Sequence, residues 1–210
     1  MRIWTGRAAS GKTTAILREI AEACRKGEGK QVLLVPELNS HQMERRLAEA
    51  TENHGARTAE VLTFSRLADR VFSEVGGLAQ QMLTPAGQLL TLQEAARRVQ
   101  GGLSVWGGLA DKPELLRETL RLVDECKTCA VSPQMLFDAS QESEDAALSA
   151  KLSDLAQLLT AYERLCEQSL PDPRDRLTHL RDRLPESHVL AGAQVYLDGF
   201  LGFTAQELAV

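Results

Sequence analysis

Apolar positions change their period repeatedly along the first 75 residues. "RIWT" (2–5) alternates, and from Lys12 onward Ile16, Leu17, Ile20, Ala23 and Cys24 fall on one face of a 3.6-residue helix. "QVLLVPE" (31–37) is a short continuous apolar run, as expected of a strand covered on both faces, and Pro36 closes it. "NSHQMERRLAEAT" (39–51) continues helically from an N-cap at Asn39 or Ser40. "AEVLTF" (59–64) is a third strand, and "SRLADRVFSEV" (65–75) is its helix, with Leu67, Val71 and Val75 on one side. Strand and helix thus alternate three times. Parallel strands need a crossover and a helix is the usual one, so the pattern predicts a parallel α/β sheet.

From Gly76 to Ser187 the alternation gives way to successive helical patterns: "PAGQLLTLQEAARRVQ", "KPELLRETLRLVDECKTC", "SPQMLFDAS" and "EDAALSAKLSDLAQLLTAYERLCEQ". Gly-Gly pairs at 76/77, 101/102 and 107/108 and prolines at 113, 133, 171 and 173 punctuate them. "AQVYLDGF" (193–200) returns to the strand pattern. The expected organisation is an α/β core of residues 1–75 and 188–210 around an all-helical insert, 76–187. "TAQELAV" (204–210) reads as a helix just beginning, which predicts that the chain is the amino-terminal part of a longer protein.

Composition narrows the class. With 43% apolar and 25% charged residues the chain is ordinary for a soluble globular protein. It has no apolar stretch of about 18 residues that would span a membrane. Its first residues carry no secretory pattern, so a cytoplasmic location is expected. The net charge is −5, which gives no support to nucleic-acid binding by bulk charge. The distribution is uneven: residues 1–70 hold 12 Lys/Arg against 9 Asp/Glu, and the other 140 hold 12 against 20. The basic excess sits in the α/β part. Five Phe, two Tyr and two Trp include no run interleaved with basic residues of the kind that stacks bases. "RDRLTHLRDR" (174–183) is a mixed-charge helical face suited to solvation. Cys24, Cys126, Cys129 and Cys166 are too few and too irregular for a disulfide scaffold. "CKTC" (126–129) has the spacing of half a metal site but no second pair, leaving buried or surface thiols beside a metal or redox role.

The chemistry is concentrated in "GRAASGKTT". Gly6, Gly11, Lys12 and Thr13 fit the phosphate-binding pattern G-x-x-x-x-G-K-[ST]. Glycines permit the tight turn that aims successive N–H groups at phosphate oxygens, and the following helix adds its positive end. The predicted nucleotide site is Gly6, Arg7, Ala8, Ala9, Ser10, Gly11, Lys12, Thr13 and Thr14. Lys12 is expected on the outer phosphates of ATP and the Thr13 hydroxyl on Mg²⁺.

Taken in order, "GRAASGKTT", "LLVPELNSHQMERRL", "VLTFSRLADRV" and "VYLDGFLGFTAQEL" resemble the amino-terminal region of the AddB family, the B subunits of bacterial ATP-dependent helicase/deoxyribonuclease. More distantly, the chain is similar to the first motor domain of superfamily 1 helicases. The resemblance runs from Ile3 to Leu208 and implies a P-loop NTPase fold, a helicase-like parallel sheet with a large helical insert. It implies a machine that unwinds and degrades DNA at double-strand breaks for homologous recombination, with an A subunit and DNA as partners. The family's nuclease domain and iron–sulfur cluster would lie outside this chain, so Cys126 and Cys129 are not expected to be cluster ligands. It further implies that Asp198 faces the magnesium through water, the alternative being a turn aspartate before Gly199. Ser65 and Arg66 occupy a position where related helicases contact the DNA backbone, or else are an exposed helix start. Glu37, at a strand end on the same side of the sheet, either nears the nucleotide or is a solvated loop carboxylate. Two departures stand out. Leu38 replaces an expected glutamine, and Asp198-Gly199 replaces the Asp-Glu of active helicases. ATP binding with weak or absent hydrolysis is therefore expected, no residue being assigned a catalytic role. A small P-loop kinase and a non-catalytic scaffold holding partner subunit and DNA are the rival readings.

Overall fold

The computed structural model describes residues 2–52 and 58–210. Contacts divide the chain into two compact units, Met1–Leu78 with Leu180–Phe203, and Ala79–His179 with Thr204–Val210.

In the first unit the strands are β1 (Lys30–Leu34), β2 (Ala59–Leu62) and β3 (Ala193–Leu197), all parallel, in the order β2-β1-β3. Leu33 is aligned with Val61 on one side and Tyr196 on the other. The helices are α1 (Lys12–Lys26), α2 (Ser40–Ala50) and α3 (Phe64–Val75). Central β1 is buried at every position but Lys30, which explains its unbroken apolar run. Period-2 alternation sends Leu33, Val35 and Val61 to one face, where they meet Ile16, Leu17 and Ile20 of α1 and Met43 and Leu47 of α2. Gly27, at φ 71°, ends α1 by returning its N–H to Ala23 and Cys24. Thr63 starts α3 by accepting the Arg66 N–H at 3.2 Å.

The alternating segment 2–5 lies outside the sheet. Arg2 pairs with Glu19 at 3.1 Å and sits 4.5 Å from the Trp4 ring centroid. Alternation marks a segment as compatible with a strand, but a ladder also requires a docked edge, and among the described residues β3 has only β1 as its neighbour.

The second unit is helical: α4 (Pro85–Val99), α5 (Pro113–Thr128), α6 (Pro133–Glu142), α7 (Ala146–Gln168) and, at the chain end, α9 (Ala205–Ala209); α8 (Arg176–Arg183) runs across the division between the units. Leu92, Ala95 and Ala96 of α4, Leu116 and Val123 of α5, Leu136 of α6 and Leu155, Leu158, Leu159 and Tyr162 of α7 form one core. Thr84, Ser132 and Asp145 cap α4, α6 and α7 with their side chains.

Buried Asp154 fastens the 104–106 turn to α7. Its carboxylate accepts the N–H groups of Ser104 (3.0 Å), Val105 (2.7 Å) and Trp106 (3.0 Å) and the Ser104 hydroxyl (3.1 Å). Burial would raise this carboxyl, but the three amides and the hydroxyl outweigh it and hold it below its ordinary value. A lowered folded pKa stabilises above the unfolded value near 3.8 and loses that contribution as pH falls through the folded value. Asp154→Asn is therefore expected to cost about 1.5–3 kcal/mol at neutral pH, by the usual worth of hydrogen bonds to charged groups. The gap from the parent in urea melts should close as the pH drops below the carboxyl range. A pH-independent gap would rule out the charged cap.

Candidate nucleotide site

Gly6–Gly11 forms an exposed loop leading into α1. Two residues adopt left-handed backbone, Ala9 at φ 60° and Gly11 at φ 87°. A Cβ on Gly6 would stand 2.7 Å from Ser10 Oγ, so a side chain there would displace the Ser10 hydroxyl from the loop. The Lys12 ammonium curls into the loop, donating to the carbonyls of Gly6 (2.8 Å) and Arg7 (2.7 Å) and lying 3.4 Å from Ser10 Oγ. The intrahelical ladder begins with Ala15 N–H to Gly11 O at 2.9 Å, so the amides of Lys12, Thr13 and Thr14 precede it. Gly11 offers no side-chain cap, and the first turn of α1 carries no acidic residue. The result is a concave loop with a cation inside it and the positive end of a 15-residue helix behind it.

Asp198 follows β3 directly, and its N–H donates to Leu34 O at 3.1 Å. That bond places its Cα at the carboxyl end of the sheet, where α/β proteins bind ligands. Gly199 turns at φ 82°, and a Cβ there would meet Asn39 Nδ2 at 3.1 Å and Pro36 Cδ at 3.6 Å. The loops after β1 and β3 therefore lie side by side. Among the described residues, the hydrogen bonds of Lys12 stay within its own loop and none joins Asp198 to it.

Glu37 and Glu44 engage the pair Ser65–Arg66. Burial would raise Glu37, but the hydroxyls of Thr63 and Ser65, the Ser65 N–H and the charge of Arg66 outweigh it, so its carboxyl is lowered. Arg66 also pairs with Glu44, whose carboxyl it lowers. The carboxylate of Glu37 is thus directed to the start of α3.

An aromatic cluster that sequence patterns do not single out is formed by Phe64, Phe200 and Phe203. Phe200 stacks on Phe203 with centroids 4.6 Å apart and meets Phe64 edge-on at 5.9 Å. The repeated spacing in "GFLGF" is a weak local signal for Phe200 and Phe203, whereas Phe64 joins them only through the fold. Leu201, next to Phe200 in sequence, is fully exposed, and Leu38 in the loop after β1 is 98% exposed.

No group of three or more His, Cys, Asp or Glu residues able to hold a metal occurs among the described residues. The thiols are free. Burial pushes Cys126 up and Cys166 up to about 11, away from the thiolate range. No described helix is long and apolar enough to cross a membrane.

Comparison with known proteins gives a consistent result. Residues 3–210 match the family model described as "ADDB, N-terminal". The chain is 39% identical over 216 residues to the B subunit of the ATP-dependent helicase/deoxyribonuclease of Desulforudis audaxviator, covering all of this chain and 18% of that protein. It is 35% identical over 215 residues to the protein of the same name from Desulforamulus reducens, covering all of this chain and 19% of the relative. A third, from Symbiobacterium thermophilum, is 35% identical over 217 residues, with 19% of its length covered. The chain thus spans about a fifth of the length of these relatives.

Proposed function

Because this chain belongs to the family of AddB amino-terminal domains, we propose that it is a helicase-like, Mg-ATP-binding domain of a helicase/deoxyribonuclease subunit that processes double-strand DNA breaks for recombination. The A subunit and DNA are its partners in this reading. The observation that carries the nucleotide assignment is Lys12, held over the Gly6 and Arg7 carbonyls inside a loop that ends at an uncapped helix. An ammonium in that position can exchange carbonyl oxygens for phosphate oxygens by a side-chain rotation. In this reading the loop amides and Lys12 would hold the phosphates, the Thr13 hydroxyl would be a ligand of Mg²⁺, and Asp198 would face the ion through water. The metal would neutralise charge on the outer phosphates.

Hydrolysis demands a base or polarising group to hold the attacking water, as well as a cation to stabilise the transferred group. Gly199 supplies none, and Glu37 is directed to Thr63 and Ser65. Saturable Mg-ATP binding with negligible phosphate release is expected. Gly199→Glu should fail to restore turnover, because its φ of 82° and the nearby Asn39 oppose any side chain there. Steady-state ATPase activity that vanishes in Lys12→Ala would overturn this reading. The non-catalytic scaffold draws support from the same self-satisfied lysine, and it predicts no thermal shift with Mg-ATP.

For DNA, Ser65 and Arg66 supply a hydroxyl and a guanidinium suited to backbone phosphate. Phe203, 38% exposed and stacked on Phe200, adds one exposed ring. Glu44 and Glu37 would have to yield to the phosphate.

A further inference from the structure

The Gly6–Gly11 loop carries a second cation besides Lys12. Arg7 directly follows Gly6, and its carbonyl accepts both the Lys12 ammonium at 2.7 Å and the Ser10 N–H at 3.3 Å. The carbonyl is therefore turned into the loop, while the residue as a whole is exposed. Among the described residues the Arg7 guanidinium has no hydrogen bond or ion pair. Residues 6–18 include no Asp or Glu, and Glu19, the first acidic residue of α1, is paired with Arg2 at 3.1 Å. Nothing on the loop or on the first turn of α1 neutralises Arg7.

The two cations differ in what they can recognise. Lys12 is fixed by the Gly6 and Arg7 carbonyls beside the amides of Lys12, Thr13 and Thr14 and the positive end of α1. These groups suit the phosphates that a diphosphate and a triphosphate share. Arg7 stands at the other end of the loop, and its guanidinium is a planar fork able to take two oxygens of one phosphoryl group at once. Because the Arg7 carbonyl touches the Lys12 ammonium, a phosphate that takes that carbonyl's place lies within reach of the Arg7 side chain. A terminal phosphoryl group next to it adds negative charge where the loop has a cation and no acidic residue.

We propose that Arg7 selects nucleoside triphosphate over diphosphate in this loop by pairing with the terminal phosphoryl group, so that occupancy of the domain follows the ratio of ATP to ADP. The selection rests on the nucleotide reading above. With Gly199 offering no group to hold an attacking water, the pairing serves recognition and not turnover. The pair forms at an exposed position, which places its worth at the lower end for charge-assisted bonds, about tenfold in affinity.

Titration calorimetry of the 210-residue chain with Mg-ATP and with Mg-ADP, in the parent, Arg7→Gln and Arg7→Lys, is the test. Glutamine keeps an amide donor and removes the charge. The contact of Arg7 with Lys12 belongs to the backbone, so neither substitution deletes its acceptor, and thermal melts without nucleotide should match the parent. The parent should prefer Mg-ATP by at least about tenfold, and that ratio should fall toward parity in Arg7→Gln. Arg7→Lys should recover part of it, since an ammonium restores the charge without the fork. An unchanged ratio in Arg7→Gln, whether both affinities hold or both fall alike, would overturn the proposal while leaving the nucleotide site intact. A parent that binds neither nucleotide would overturn the nucleotide reading itself, and the selection with it.

Discussion

Lys12→Ala is expected to weaken Mg-ATP binding by roughly 10- to 150-fold, with the fold intact. The Lys12 charge is held inside the Gly6–Gly11 loop by two carbonyls at 2.8 and 2.7 Å. In the proposed nucleotide complex those bonds would give way to charge-assisted bonds to phosphate, a kind worth about 1.5–3 kcal/mol, and about 1.4 kcal/mol corresponds to a factor of ten. Without nucleotide the same bonds are exposed to solvent and their loss is compensated by water, so melting of the empty variant should match the parent. Calorimetry gives the affinity and a thermal melt gives the control. Equal affinity in parent and variant would remove Lys12 from the phosphate contacts and with it the assignment of the loop.

The largest expected change in stability lies in the helical unit. Asp172 is fully buried, and it accepts hydrogen bonds from Gln88 Nε2 (2.9 Å), the Tyr162 hydroxyl (2.8 Å) and the Arg174 N–H (2.9 Å), with Lys127 Nζ 3.8 Å away. Lys127, also buried, bonds both oxygens of Asp175 at 2.6 Å. The carboxylate thereby joins α4, α5, α7 and the 172–175 turn. Burial, together with the charge of Asp172, raises the Tyr162 phenol and keeps it a donor. Asp172→Ala leaves the Tyr162 phenol, the Gln88 amide and the Arg174 N–H without their shared acceptor inside the core, while Lys127 keeps Asp175; at about 1–3 kcal/mol for each buried donor left unsatisfied, the loss should reach at least about 3 kcal/mol. Tyr162→Phe removes one donor along with its need for a partner and should cost only about 1 kcal/mol. Urea unfolding followed by Trp106 fluorescence, in a Trp4→Phe background, reports on this unit, since Trp106 packs against its core. A loss below about 0.5 kcal/mol for Asp172→Ala, the range of ordinary surface changes, would show the network to be dispensable.

Much of the molecule follows from interactions between near neighbours in the chain. The helical period of Ile16, Leu17 and Ile20, the apolar run at Val32–Val35 and the change of period after Gly76 reflect which face of each element must leave water, so α1, β1 and the helical series are legible as patterns. The Gly6–Thr13 spacing is legible for the same reason, because a tight turn followed by a helix start is specified within eight residues. Tertiary structure alone decided where those patterns met. Segment 2–5 alternates like a strand yet stays outside the sheet, because pairing depends on a neighbouring edge that no local period encodes. Glu37, at a strand end, is directed to Thr63 and Ser65 once α3 is placed beside it. Asp172 looks like a turn aspartate between two prolines, but it is fully buried, and α4, α5 and α7 converge on it. Phe64 reaches Phe200 only because β2 and β3 flank the same central strand and carry both residues at their carboxyl ends. Periodicity records how each element is solvated, whereas the partner of a buried charge or an aromatic ring depends on contacts between residues far apart in the chain, which only the folded topology fixes.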